Sequence, residues 1–171
     1  MKNRMGIALI VMGLLMSAVP AFPGSEKDAE SMISHAASVV RAREFSRDDI
    51  IRALIEVLDA SLLILPKTDY SAEFSSRIET AKGQFDEKSL FSDTARQNLG
   101  LAYSLLTGGK SWQIPEELAP EKREKDFMAQ AKRVCQNLID SALAELKAGR
   151  NAQSVRYLLE FVLMVITPVQ A

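Results

Sequence analysis

The chain of 171 residues is 47% hydrophobic and 25% charged, with a formal net charge of -1 at neutral pH. This balance argues against a nucleic-acid-binding protein, which needs a clustered excess of Lys and Arg to neutralise phosphates. A single Cys excludes an intrachain disulfide and a cysteine-ligated metal centre, and a single His leaves little for a histidine-ligated metal.

The first 21 residues have the pattern of a secretory signal peptide. Lys2 and Arg4 form a basic amino-terminal region, residues 5–19 form an apolar run, and small residues precede a cleavage point after Ala21. The apolar run is shorter than the ~20 residues of a membrane-spanning helix. We therefore expect an exported protein, periplasmic or extracellular, with a single domain over residues 22–171 and no stable membrane association after cleavage.

The rest of the chain has helical periodicity. Apolar residues recur at helical spacing from Ser25 onward, and no stretch shows the sustained alternation that is typical of strands. The sequence therefore predicts an all-α fold, an antiparallel helical bundle of about six helices, of which four are long and two shorter. The predicted helices cover residues 26–44, 46–65, 70–84, 92–106, 120–148 and 151–167.

Capping residues and prolines in the sequence mark several of the predicted helix boundaries. Ser46, with Asp49 three residues later, has the spacing of a capping box. Pro66 ends the second helix because proline cannot continue one. Pro120 suits the first turn of the fifth helix, and Asn151 is the predicted N-cap of the sixth.

His35 is the residue that a cofactor hypothesis would require. It lies near the edge of the apolar face of the first helix, where we expect a structural or surface role. The most specific alternative is a b-type haem held by His35 and a methionine of another helix, Met128 or Met164. The Cys-x-x-Cys-His motif of covalent haem attachment is absent, and no other motif supports the His/Met pair. We therefore expect no cofactor.

The sequence has no pattern of a catalytic site. It contains no Gly-rich phosphate loop, no Gly-x-Ser-x-Gly elbow and no His-Glu-x-x-His helix. Neighbouring acids such as Glu116 and Glu117 stand at or before predicted helix starts, where carboxylates favourably meet the helix dipole. Cys135 lies on the apolar face of the fifth helix, where Cys behaves as a small hydrophobe. We therefore do not expect an enzyme.

The sixth predicted helix is apolar nearly all round. Tyr157, Phe161 and Met164 lie opposite its main core face, and Arg156 and Glu160 form only a thin polar strip. We favour burial of this second apolar face in the core. If the face is exposed instead, it provides a surface for a partner.

Two functional hypotheses follow from these patterns. The first is an exported, non-catalytic helical protein that serves as an interaction or structural module for a protein partner or a second copy of the chain. Its candidate partner surface consists of Tyr157, Phe161, Met164 and Trp112, the last from the connection before the fifth helix. The alternative is a small-molecule or cofactor-binding protein with a pocket between helices.

Overall fold

A computed structural model describes residues 25–85, 90–122 and 124–168, which form six α-helices and contain no strand. The helices are α1 (Ser25–Arg41), α2 (Arg47–Ile64), α3 (Ser71–Lys82), α4 (Asp93–Leu106), α5 (Phe127–Lys147) and α6 (Asn151–Ile166). Two short 3-10 turns, Glu116–Leu118 and Pro120–Lys122, precede α5. The all-α prediction is confirmed for these residues. The predicted signal peptide lies outside them.

α2 begins where the capping signal places it. Ser46 Oγ accepts the backbone N–H of Asp49 at 3.1 Å, and Asp49 Oδ2 accepts the backbone N–H of Ser46 at 2.8 Å. These two bonds satisfy donors that an uncapped helix start would leave without partners. The backbone N–H and the hydroxyl of Ser46 lower the pKa of the Asp49 carboxyl. The helix ends at Ile64, two positions before Pro66.

α5 begins at Phe127, and the prediction of a helix from Pro120 was wrong. Pro120 instead opens a 3-10 turn, and Asp126 caps α5 by accepting the backbone N–H of Ala129 at 3.0 Å. The intervening charged residues offer no apolar side chain that a helix could bury. A short helix without an apolar face gains too little from packing to form.

The start of α6 also differs from its prediction. Asn151 is the first residue of the helix, and Arg150 takes the N-cap position. The Asn151 side chain is directed to α1 instead, where its Nδ2 donates to Glu26 Oε1 at 3.1 Å. One turn later, Ser154 Oγ donates to the carbonyl of Ala142 on α5 at 2.8 Å. These bonds link the start of α6 to α1 by a side-chain contact and attach α6 to α5.

The hydrophobic core draws on all six helices and is one continuous cluster. α6 contacts α2, α4 and α5, while α1 packs against α2 and α5, and α3 packs against α2 and α4. Because α6 is enclosed from several sides, most of its surface has to be apolar. Its buried residues are Ser154, Val155, Leu158, Leu159, Phe161, Val162, Leu163, Met164 and Ile166.

Within the described ranges, none of the helices combines the length and the apolarity that crossing a membrane requires.

Candidate functional site

A cleft of about 490 Å³ opens where α4, α5 and α6 meet the connection between α4 and α5. Tyr103 reaches it from α4, Trp112 from the connection, Leu138 from α5, and Arg156 and Glu160 from α6. The cleft therefore combines an apolar wall with charged groups. This combination is typical of ligand sites, where apolar surface gives affinity and a few polar groups fix orientation.

Three side chains form a hydrogen-bonded chain in the cleft. The hydroxyl of Tyr103 donates to Glu160 Oε1 at 3.0 Å, and Arg156 Nε donates to the same oxygen at 2.8 Å. The Glu160 side chain is only 15% exposed, whereas that of Arg156 is 42% exposed. Tyr103 is 7% exposed, so the carboxylate lies between this buried residue and the guanidinium, which is the member nearest to solvent.

The pKa shifts agree with this arrangement. Burial, and then the neighbouring Glu160 carboxylate, raise the pKa of the Tyr103 hydroxyl. The hydrogen bond to Glu160 raises the pKa of the Arg156 guanidinium. At neutral pH, Tyr103 is therefore a neutral donor and Arg156 is a cation, which are the states that both bonds to Glu160 require.

The connection that carries Trp112 leaves α4 through a sharp turn. Gly108 and Gly109 have φ angles of 68° and 92°, in the left-handed region that glycine adopts without a steric penalty. The backbone N–H of Gly109 donates to the carbonyl of Ser104 at 2.8 Å, which closes the end of α4. The turn sends the chain back along the cleft, where Trp112 packs against the core while it remains partly exposed.

Gln130 anchors the far end of the same connection. Its Nε2 donates to the carbonyls of Glu117 at 2.7 Å and Lys122 at 3.0 Å, and its Oε1 accepts the backbone N–H of Glu124 at 3.1 Å. Gln130 is itself buried, so these bonds are shielded from water. Leu118, within the same segment, is buried and only 1% exposed. The wall of the cleft is therefore attached to α5 at defined points.

The four side chains of the predicted partner surface do not form one surface. Phe161 and Met164 of α6 are 2% and 6% exposed and are buried inside the protein. Tyr157 is half-buried and packs against the core. Trp112 alone of the four lines the cleft. The structure thus favours the core interpretation of the second apolar face of α6.

The residues considered as haem ligands, His35, Met128 and Met164, do not line the cleft. His35 Nδ1 is paired with Glu56 Oε2 on the exposed side of α1 and α2. Met128 is 76% exposed at the start of α5, whereas Met164 is buried in α6. Among the described residues, His, Cys, Asp and Glu side chains form no group of three or more that could hold a metal ion.

Cys135 is partly buried on α5 and packs against the core. Burial raises the pKa of its thiol to about 12. Since the thiolate is the nucleophilic form of cysteine, this environment opposes reactivity.

The polar groups of the cleft were not predicted as site residues. Arg156 and Glu160 are spaced i,i+4 in a helix that has no other charged residue, and this isolated pair is the one signal that the sequence offers. Tyr103 gives no such signal because its contact with Glu160 joins distant parts of the chain.

The comparisons with family models, curated proteins and solved structures give no match to this chain.

Proposed function

We propose that the chain is an exported, non-catalytic helical protein that binds a small organic ligand in the cleft. The observation that carries this proposal is the hydrogen-bonded chain of Tyr103, Glu160 and Arg156 beside the indole of Trp112. A hydrogen-bonded polar group next to an apolar wall can orient a ligand while the wall contacts the apolar part of that ligand.

The non-catalytic part of the proposal rests on the state of the polar groups. Glu160 already accepts two hydrogen bonds, and the positive charge of Arg156 is paired with it. The Cys135 thiol is kept protonated by burial, and His35 lies on another face, paired with Glu56. A general base or nucleophile has to be within reach of the reacting group and in its reactive form. Cys135 and His35 do not line the cleft, and Glu160 and Arg156, which do, are paired with each other. We therefore assign Glu160 and Arg156 to ligand binding and not to catalysis.

Interaction with a protein partner or a second copy of the chain is the second candidate. It is supported by exposed large apolar side chains outside the cleft, among them Phe91 at 57% and Leu101 at 48%. Sedimentation of the mature chain over a range of concentrations tests self-association. A single monomeric species throughout would remove the second copy as a partner.

Export is proposed from the pattern of the first 21 residues and is tested separately. The intact mass of the protein recovered from the exported fraction is expected to begin after Ala21. A membrane-bound species that retains Met1 would contradict this expectation.

Ligand binding is tested with three small compounds that share a phenyl body: hydrocinnamate, its amide and phenethylamine. The chain has a single Trp, so the indole N–H of Trp112 gives one signal in proton–nitrogen correlation spectra. We expect at least one of the compounds to shift this signal in a saturable manner. Absence of a saturable shift with all three would overturn the proposed function.

Two matched variants locate the binding. Ser141→Phe places a ring inside the cleft, which Ser141 lines, and is expected to abolish the shift. Ser31→Phe introduces the same ring on the exposed surface of α1 and is expected to leave the shift unchanged. If Ser141→Phe folds and binds as the unsubstituted protein does, the ligand is bound elsewhere.

A further inference from the structure

The orientation of Arg156 indicates which chemical group the cleft binds. Its Nε is committed to Glu160 at 2.8 Å, and Glu160 is held in turn by the Tyr103 hydroxyl at 3.0 Å. A guanidinium has several N–H groups in one plane, so fixing Nε also fixes the directions of the remaining donors. Tyr103 and Glu160 therefore act as positioning residues for Arg156.

The exposures of the two charged groups decide which of them meets a ligand. Glu160 is 15% exposed and already accepts two hydrogen bonds, whereas Arg156 is 42% exposed and lines the cleft. The charge that a ligand in the cleft can reach is therefore the guanidinium. Its remaining donors match the planar oxygens of a carboxylate, which arginine binds with two parallel hydrogen bonds.

The charges at the rim are compatible with an anionic ligand. Lys110 lines the cleft on the connection that carries Trp112 and adds a second cation. Glu117, an acidic residue of the same connection, also lines the cleft, and the neighbouring Lys122 pairs with Glu116. The positive charge of Lys110 therefore offsets the negative charge of Glu117, and the rim carries no excess of negative charge.

We propose that the cleft binds a small organic carboxylate, with its carboxylate group on Arg156 and its apolar body against Trp112 and Leu138. This inference rests on the proposed function, because it names the ligand class of the same site. The ligand needs an apolar body because only apolar surface buried against Trp112 and Leu138 adds a hydrophobic contribution to the binding free energy.

The test compares hydrocinnamate with its amide, which has the same shape but no charge. We expect the acid to bind about tenfold more tightly than the amide, because a charge-assisted bond is stronger than a neutral one. Binding is measured by the shift of the Trp112 indole signal. Phenethylamine, which carries the opposite charge, is expected to bind more weakly than either.

Arg156→Gln is expected to reduce the affinity for the acid to that for the amide, while the affinity for the amide stays nearly constant. Arg133→Gln is the matched control, since Arg133 lies on the exposed part of α5 and pairs with Glu124. It removes the same charge from the protein without changing the cleft. The control is expected to retain the preference for the acid.

The possible outcomes separate the two proposals. Equal binding of acid and amide to the unsubstituted protein would overturn the carboxylate inference and leave ligand binding in place. This comparison needs no variant, so it stands even if Arg156→Gln fails to fold. A folded Arg156→Gln protein that retains the preference for the acid would also overturn the inference. No binding of any compound would overturn the proposed function as well.

Discussion

The hydroxyl of Tyr103 on α4 donates to the carboxylate of Glu160 on α6, although 57 residues separate them in the sequence. The bond lies between two helices that pack directly against each other. It therefore contributes to the tertiary structure and, at the same time, places the carboxylate that holds Arg156. The proposed function therefore predicts that stability and ligand binding are coupled at this point.

Tyr103→Phe tests the structural part of this coupling. The ring is retained and the donor is lost, so Glu160 keeps only its bond from Arg156. We expect the free energy of unfolding to fall by about 1.5–3 kcal/mol, the range for hydrogen bonds to charged groups, and toward its lower end because the bond is only part-buried. Urea denaturation measures the change. Tyr70→Phe, which removes a hydroxyl from a partly buried tyrosine outside the cleft, is expected to have a smaller effect.

The raised pKa of Tyr103 predicts a dependence of this difference on pH. Because burial raises the pKa of Tyr103 in the folded protein above the reference value of 10.0, the unfolded chain loses its phenolic proton first. The stabilisation is present in full below about pH 10 and decreases as the pH rises through the folded pKa. The difference in the free energy of unfolding between the unsubstituted protein and Tyr103→Phe is therefore expected to decrease as the pH rises above about 10. A difference that stays constant up to about pH 11 would contradict the shift.

Helix boundaries could be predicted from the sequence where they depend only on residues within the same turn. The Ser46 and Asp49 spacing gave the start of α2, because both partners of a capping box lie within one turn. The start of α5 was misplaced because Pro120 is compatible with either an α-helix or a 3-10 turn. Asp126, whose side chain caps α5, is the local signal that would have placed the boundary correctly.

The candidate site was much less predictable, because long-range contacts form it. Arg156 and Glu160 are visible as a pair in the sequence, but nothing local shows that Tyr103 and Trp112 face them. The same limit applies to Phe161, whose ring on the second apolar face is buried or exposed depending on which helices surround α6. Its burial follows from the packing of α6 against α2, α4 and α5, which helical periodicity does not specify.

Gln130 is expected to control the order of the segment that forms the cleft wall. Gln130→Ala removes the partners of the Glu117 and Lys122 carbonyls and of the Glu124 backbone N–H. We expect a loss of about 1–3 kcal/mol in the free energy of unfolding, with faster hydrogen exchange across residues 116–124. Gln97→Ala, on the exposed face of α4, is the control. Equal exchange rates in both variants would show that Gln130 does not hold the segment.

The placement of α2 is tested by a pair of substitutions within that helix. Leu58 is fully buried, whereas Leu63 is 42% exposed. Leu58→Asp puts an unpaired charge into the core at a cost of several kcal/mol, and we expect it to prevent folding, since typical domains are stable by only about 5–15 kcal/mol. Leu63→Asp is expected to leave the far-ultraviolet circular dichroism and the melting temperature nearly unchanged. Similar melting of both variants would contradict the burial of Leu58.

Cys135 is expected to be unreactive in the folded protein. With its pKa raised to about 12 by burial, only about one thiol in ten thousand is ionised at pH 8. A thiol reagent should therefore label the native protein slowly and the urea-denatured protein at once, and the native rate should follow global unfolding. Cys135→Ala, which reports the background of the assay, should itself cost about 1 kcal/mol through lost volume. Fast native labelling, or a disulfide-linked dimer on a non-reducing gel, would show that the thiol reaches solvent and that α5 is oriented differently.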